Sequence, residues 1–199
     1  MVAQIYVDDI IFGGMLDEMD QTFVMQMQSE FEMSLEKYAK SIVKKFGLEN
    51  ASHKLNPAPT HFKLTMDEKG VGIDQSLYRS MIGSLLYLTA SRPDITFAIG
   101  VCARYQEEPK VIHLNQVKRI LKYVNGTYNY GILYSHNSNT KLLGYCDADW
   151  DGSVDDRKST SGGCFFLGNN FMLWFSKKHN CVWLSTSEAE YIAADSSFS

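Results

Sequence analysis

The spacing of apolar residues changes once along this chain, near Gly126, and that change most constrains the fold. Before it, Leu77, Met81, Leu85 and Leu88 recur at helical intervals, as do Leu114, Val117, Leu121 and Val124. After it, Gly131–Tyr134, Lys141–Cys146, Gly163–Leu167 and Phe171–Phe175 read as strands. The last two form a hairpin turning at Gly168, Asn169 and Asn170. Cys181–Leu184 reads as a further strand, and Ser185 to Asp195 as a closing helix. The clearest domain boundary lies between about Gly126 and Lys141.

The first half divides further. Gln4 to Phe12 reads as strand, turn, strand, with acids at the turn and Gly13-Gly14 ending the unit. Phe23, Met27 and Phe31 predict a helix from Leu16 to about Ser34. A second, Glu36 to Phe46, stops at Gly47. Residues 48–74 hold Pro57 and Pro59 and read as an irregular connection. A helix over Gln75–Ala90 follows. Ser91 then suits a helix cap, with Pro93 and Asp94 in the first turn of a helix running to about Tyr105.

Composition adds a charge pattern. Met1 to Ser34 carries seven acids and no Lys or Arg; Leu35 to Tyr145 carries fifteen Lys and Arg against eight acids; the remainder carries eight acids against four bases. A basic middle between acidic ends suits a polyanion-binding surface flanked by cation sites, and chance produces it too. No apolar run reaches the length of a membrane span. No basic stretch and apolar signal segment follow Met1, so an intracellular protein, cytoplasmic or nuclear and not secreted, is expected. The four cysteines, Cys102, Cys146, Cys164 and Cys181, show no metal-ligand spacing and read as reduced core thiols.

Three groups of acids stand out. Asp8 and Asp9 lie at the turn of the first hairpin, where Asp is common for turn geometry alone. A tight turn also lets neighbouring carboxylates converge, which a straight strand forbids. Two carboxylate-held divalent metals about 3.5–4 Å apart activate an attacking hydroxyl and stabilise a leaving phosphate oxygen. In "LLGYCDADWDG", Leu143, Tyr145 and Asp147 share a strand face, and Asp147 falls at the strand's end. An acid-rich loop is the plainer account of that stretch. In "STSEAEYIAAD", Ser185 with Glu188 and Ser187 with Glu190 both fit a capping box. If the helix starts at Ser185, Glu188 serves the helix start and Glu190 projects about 160° away.

Taken together, "YVDDIIFGG", "LYRSMIGSLLYLTASRPDITFAIGVCARYQ", "HLNQVKRILKYVNGT", "GYCDADW", "DRKSTSGGCFFLG" and "WFSKKHNCVWLSTSEAEYIAA" resemble the Pol polyprotein of copia-type retrotransposons of plants. The likeness covers nearly the whole chain in family order. It implies an α/β fold: a palm hairpin with a helical thumb-like bundle, then an incomplete RNase H-like mixed sheet with one helix. The implied segments are a reverse transcriptase palm remnant (1–34), a helical thumb and connection region (35–130) and the opening of an RNase H-like domain (131–199).

The resemblance also implies roles. Asp8 would bind Mg2+ (or Mn2+) and Asp9 would assist, with Tyr6 near the primer end. Asp147 matches the first metal-binding acid of RNase H, and Glu190 the acid of its first helix, with Glu188 the alternative. Lys118, Arg119 and Lys122 become candidates for tracking the backbone of an RNA–DNA hybrid or primer-template; a solvated helix face explains them equally. Other Pol chains are implied partners, and a membrane is not.

The chain departs from the family pattern in three places. Only five residues precede YVDD, so fingers and first palm half are missing. Ser34 runs almost directly into "LEKYAK", where the family continues with a primer-gripping segment. The chain ends soon after the first RNase H helix. The expectation is therefore a fragment of an RNA-directed DNA polymerase and RNase H polyprotein that is inactive by itself. The alternative is a nucleic-acid-binding remnant without catalysis.

Overall fold

A computed structural model describes residues 2–6, 9–13, 35–59, 62–132, 134–135 and 139–198, with the side chains of 2–35 and 196–198 excepted. Asp8 and the helix expected from Leu16 to Ser34 lie outside the described residues. The chain separates into two compact units, Met1–Tyr38 and Ala39–Ser199.

In the first unit, β1 (Val2–Tyr6) pairs antiparallel with β2 (Asp9–Gly13). The register sets Tyr6 opposite Asp9 and Ile5 opposite Ile10, which is the hairpin the alternation of the sequence predicts.

The second unit is built on helices. It opens within α1 (Leu35–Lys45), whose first four residues fall to the first unit; past the helix, Gly47 takes a left-handed φ of 66°, which a residue without Cβ adopts at little cost. Helix α2 (Gln75–Leu88) begins at Asp74, whose carboxylate accepts from the N–H groups of Ser76 and Leu77 at 2.7 and 3.2 Å. Helices α3 (Pro93–Ala103) and α4 (Val111–Gly126) pack on α2 and on each other. Their shared core contains Tyr78, Ile82, Leu85, Ile95, Ile99, Val117, Ile120 and Leu121, all essentially inaccessible to water. Full burial of each large apolar side chain contributes roughly 1.5–3 kcal/mol.

Ser91 does not cap α3. The cap position is Arg92, and the Ser91 hydroxyl donates back to the Leu88 carbonyl at 3.3 Å, closing α2 instead. Arg92 is buried because its guanidinium has partners on three sides. It donates to both oxygens of Asp94 at 2.9 and 2.7 Å, to the Thr127 carbonyl at 2.9 Å and to the Thr127 hydroxyl at 2.7 Å. The Tyr123 hydroxyl completes Asp94 at 2.7 Å. Burial pushes the Asp94 carboxyl up, but the bonds from Arg92 and Tyr123 outweigh it and hold it below the usual carboxylate range.

The sheet has order β3 (Leu142–Asp149), β4 (Thr160–Leu167), β5 (Asn170–Lys178), antiparallel throughout. The expected mixed sheet is not what forms among the described residues, since every strand here follows its neighbour by a return of direction. The β4–β5 hairpin closes with Leu167 opposite Asn170, helped by Gly168 at φ 61°. Two expected strands are absent among the described residues. Gly131, Ile132 and Tyr134 belong to no ladder, residue 133 lying outside the described residues; Ser135 is held by a side chain, with Asn170 Oδ1 accepting from its N–H at 2.7 Å and Nδ2 donating to its carbonyl at 3.0 Å. Cys181–Leu184 is an irregular link into α5 (Thr186–Phe198), with Trp183 buried and Leu184 exposed.

Helix α5 packs on β3 and β4, burying Ala189 and Ala193, and α3 packs on β5. Hydrogen bonds join helices to sheet: Trp174 Nε1 to the Thr89 carbonyl (3.0 Å), Arg104 Nη2 to the Thr160 hydroxyl (2.8 Å) and the Tyr105 hydroxyl to Asp155 (2.8 Å). All four cysteines are free thiols. Only Cys102 is buried, and burial pushes its thiol up to about 12; Cys146 and Cys181 are exposed and so are not core residues. No described helix is long and apolar enough to cross a membrane.

Candidate functional site

Helix α4 has two unlike faces. Val117, Ile120, Leu121 and Val124 are buried in the core, while Asn115, Lys118, Arg119 and Lys122 fall on the other side, one turn apart. The irregular segment before α2 lies along that polar side. Gln116 Nε2 donates to the Pro57 carbonyl at 2.8 Å, Arg119 Nη2 donates to Asn56 Oδ1, and the Lys54 N–H donates to the Lys122 carbonyl at 3.4 Å.

The result is a cleft of about 450 Å³ between this segment and α4. Lys54, Lys63, Lys118, Arg119 and Lys122 line it, with Phe62 and Ile112 supplying apolar wall and Asn115 and Gln116 supplying amides. Among the described residues no Asp or Glu lines it. The structure therefore brings the three predicted cations together and adds Lys54 and Lys63, which sequence reasoning missed. Like charges gathered without counter-charge repel one another and favour a bound polyanion.

The acids are placed as follows. Asp9 pairs with Tyr6 in the first unit, by backbone register. Asp147 lies within β3, opposite Gly162, and the strand runs on to Asp149 rather than ending at Asp147. Strand alternation sets Tyr145, Asp147 and Asp149 on one face, and all three line a cavity of about 500 Å³ closed on the far side by Pro93, Thr96 and Phe97 of α3. Asp147 Oδ1 accepts from the neighbouring Ala148 N–H at 2.9 Å. The link into α5 runs over the other face, where His179 Nε2 and the Ser161 hydroxyl lie 2.8 Å apart.

Helix α5 resolves the two alternative capping boxes. The Glu188 N–H donates to the Ser185 hydroxyl at 3.2 Å, and Glu188 Oε2 accepts from the Leu184 N–H at 2.7 Å. Ser185 is thus the cap and Glu188 is engaged at the helix start. Glu190 is exposed on the same helix. Among the described residues no group of three or more His, Cys, Asp or Glu is placed to hold a metal ion. A two-metal centre needs more carboxylates than Asp147 and Glu190 alone supply, so these residues support no step through a metal.

The chain is 31% identical over 216 residues to the uncharacterized mitochondrial protein AtMg00810 of Arabidopsis thaliana, covering 97% of this chain and 90% of that protein. That alignment is longer than the chain itself, so the relative carries residues with no counterpart here. The chain is 40% identical over 170 residues to the retrovirus-related Pol polyprotein from transposon TNT 1-94 of Nicotiana tabacum, covering 81% of this chain and 13% of that protein. It is 32% identical over 210 residues to the retrovirus-related Pol polyprotein from transposon RE1 of Arabidopsis thaliana, covering 94% of this chain and 14% of that protein. No family model and no solved structure matches it. The chain belongs to the family of retrovirus-related Pol polyproteins of copia-type transposons. It spans nine-tenths of the mitochondrial relative and about one-seventh of the polyproteins.

Proposed function

We propose that this chain binds nucleic acid through the phosphate backbone, as a portion of a retrotransposon Pol polyprotein, and does not catalyse phosphoryl transfer by itself. The observation that carries the binding reading is the cleft lined by Lys54, Lys63, Lys118, Arg119 and Lys122, with no acid among the described residues of its walls. Interactions of this kind read backbone charge and not sequence, so an RNA–DNA hybrid or a primer-template is the expected partner. The test is binding of a fluorescently labelled hybrid measured against salt concentration. Affinity is expected to fall linearly on logarithmic axes. A response flat in salt, or no binding at low salt, overturns the reading.

A second reading concerns catalytic ancestry, and the likeness to relatives named as retrovirus-related Pol polyproteins favours it. In it, β1 and β2 are a palm hairpin with Asp8 and Asp9 as metal-binding and assisting acids and Tyr6 beside the primer. The helices are thumb-like, and the sheet with α5 is an RNase H-like opening in which Asp147 and Glu190 would face Mg2+ or Mn2+. Other Pol chains would supply further ligands, in the cytoplasm or nucleus. The purified chain is expected to show neither primer extension nor hybrid cleavage with either metal. Metal-dependent cleavage that disappears in Asp147→Asn would show instead that the chain is a working nuclease.

A further inference from the structure

The cavity between the sheet and α3 has a chemistry opposite to that of the basic cleft. Its walls are aromatic: the Phe171 and Trp174 rings stack at 5.1 Å and 12° to form a platform on the sheet, Tyr145 stands beside them, and Phe97 faces them from α3. Asp147 and Asp149 line the same space, and among the described residues no Lys, Arg or His does. Arg104 reaches the rim, donating to the Thr160 hydroxyl at 2.8 Å, and its charge acts on Asp149. Asp147 has no such cation among the described residues; its Oδ1 accepts the short-range bond from Ala148 N–H.

Aromatic faces present negative charge to a cation, and a carboxylate adds a full charge beside them. A phosphate or carboxylate ligand would meet repulsion from Asp147 and find no donor of positive charge on the wall. The volume, about 500 Å³, is that of a small-molecule site. We propose that this cavity binds a small organic cation with a flat apolar body, its charged end at Asp147 and its ring on Trp174. The proposal does not rest on nucleic-acid binding at the basic cleft, and the two sites share no lining residue.

The test uses the full chain and three probes of one shape: benzamidine, its neutral analogue benzamide, and the anion benzoate. Calorimetric titration measures affinity, and the NMR signal of the Trp174 indole N–H locates the site. Benzamidine is expected to bind with one-to-one stoichiometry, roughly tenfold more tightly than benzamide, with benzoate showing no saturable binding. Asp147→Asn, which removes charge at an exposed position, is expected to lower benzamidine affinity at least about fivefold. Thr96→Trp, which fills the space from α3 without touching charge, is expected to abolish binding. Equal binding of benzamidine and benzoate, no saturable binding of benzamidine, or unchanged affinity in a folded Asp147→Asn protein would overturn the proposal.

Discussion

Gln116, on α4, donates its side-chain amide to the backbone carbonyl of Pro57, 2.8 Å away and 59 residues earlier in the chain. This bond helps to hold the segment that carries Lys54 and Lys63 over α4. Gln116→Ala removes no charge, yet it is expected to weaken hybrid binding several-fold and to cost about 1 kcal/mol of stability. Anisotropy titrations at one fixed salt, with a urea denaturation curve beside them, check both. Unchanged affinity would mean that the segment's position does not matter to the cleft.

Lys118 and Lys122 are each half-buried on the cleft wall. Every lysine that no longer neutralises a phosphate should reduce the slope of log affinity against log salt by about 0.9. The double substitution Lys118→Gln, Lys122→Gln is therefore expected to flatten the slope by about 1.8, with stability changed by less than about 0.5 kcal/mol. A slope identical to that of the unaltered protein would place the phosphates elsewhere.

Acid should loosen the helical core through Asp94. Its carboxyl is held below the ordinary value of 3.8, so its contribution is complete above that value and is lost as the pH falls toward the lowered one. Asp94→Asn should cost about 2 kcal/mol near neutrality, because it leaves Arg92 buried without its counter-charge; the one-third exposure of the Asp94 side chain keeps the figure below that of a fully buried pair. As the pH falls below about 3.8 the two proteins should begin to converge, and they should meet only once Asp94 is protonated in the folded state. Denaturation midpoints measured across pH 2.5 to 6 (values on the order of the carboxylate range) report the convergence.

The Tyr105 hydroxyl shares its single proton between the Leu64 carbonyl and Asp155, whose oxygens each lie 2.8 Å from the hydroxyl oxygen, while the ring stacks on His113 at 4.1 Å. Asp155 also accepts from the Met66 N–H at 3.0 Å. Tyr105→Phe keeps the stack and deletes the shared donor, leaving both acceptors without it, so a loss of roughly 1–2 kcal/mol is expected. Hydrogen exchange should speed at Met66 and in β4, and not in the middle of α2, if the bonds fasten the helices to the sheet.

Much of the helical half was legible in the sequence, because amphipathic spacing such as that of Val117, Leu121 and Val124 reports a buried stripe directly. The failures share a cause. Val182 exposed, Trp183 buried and Leu184 exposed mimic the alternation of a strand, but pairing requires a free neighbour and none is supplied among the described residues. Ser91 has the chemistry of a cap, yet the α2 carbonyl at Leu88 claims its hydroxyl first. Of the cleft, the three cations on α4 were visible as a cluster in sequence. Lys54 and Lys63 were not, because the path of an irregular segment is set by hydrogen bonds spanning 59 and 63 residues, at Gln116 and Arg119. At α5, two equal spacings left the cap ambiguous, and only the bonds of Glu188 decide it.

The bond from Trp174 to the Thr89 carbonyl spans 85 residues, and that from the Met66 N–H to Asp155 spans 89. During synthesis the side chains of the helical core, Tyr78 through Val124, have all left the ribosome before Trp174 is made. Domains assemble as the chain emerges, N-terminal parts first. The sheet is thus the late arrival, laid against a helical surface that is already finished, and a ribosome stalled just before Trp174 should hold a nascent chain whose core helices are packed and whose Thr89 carbonyl still waits for its indole.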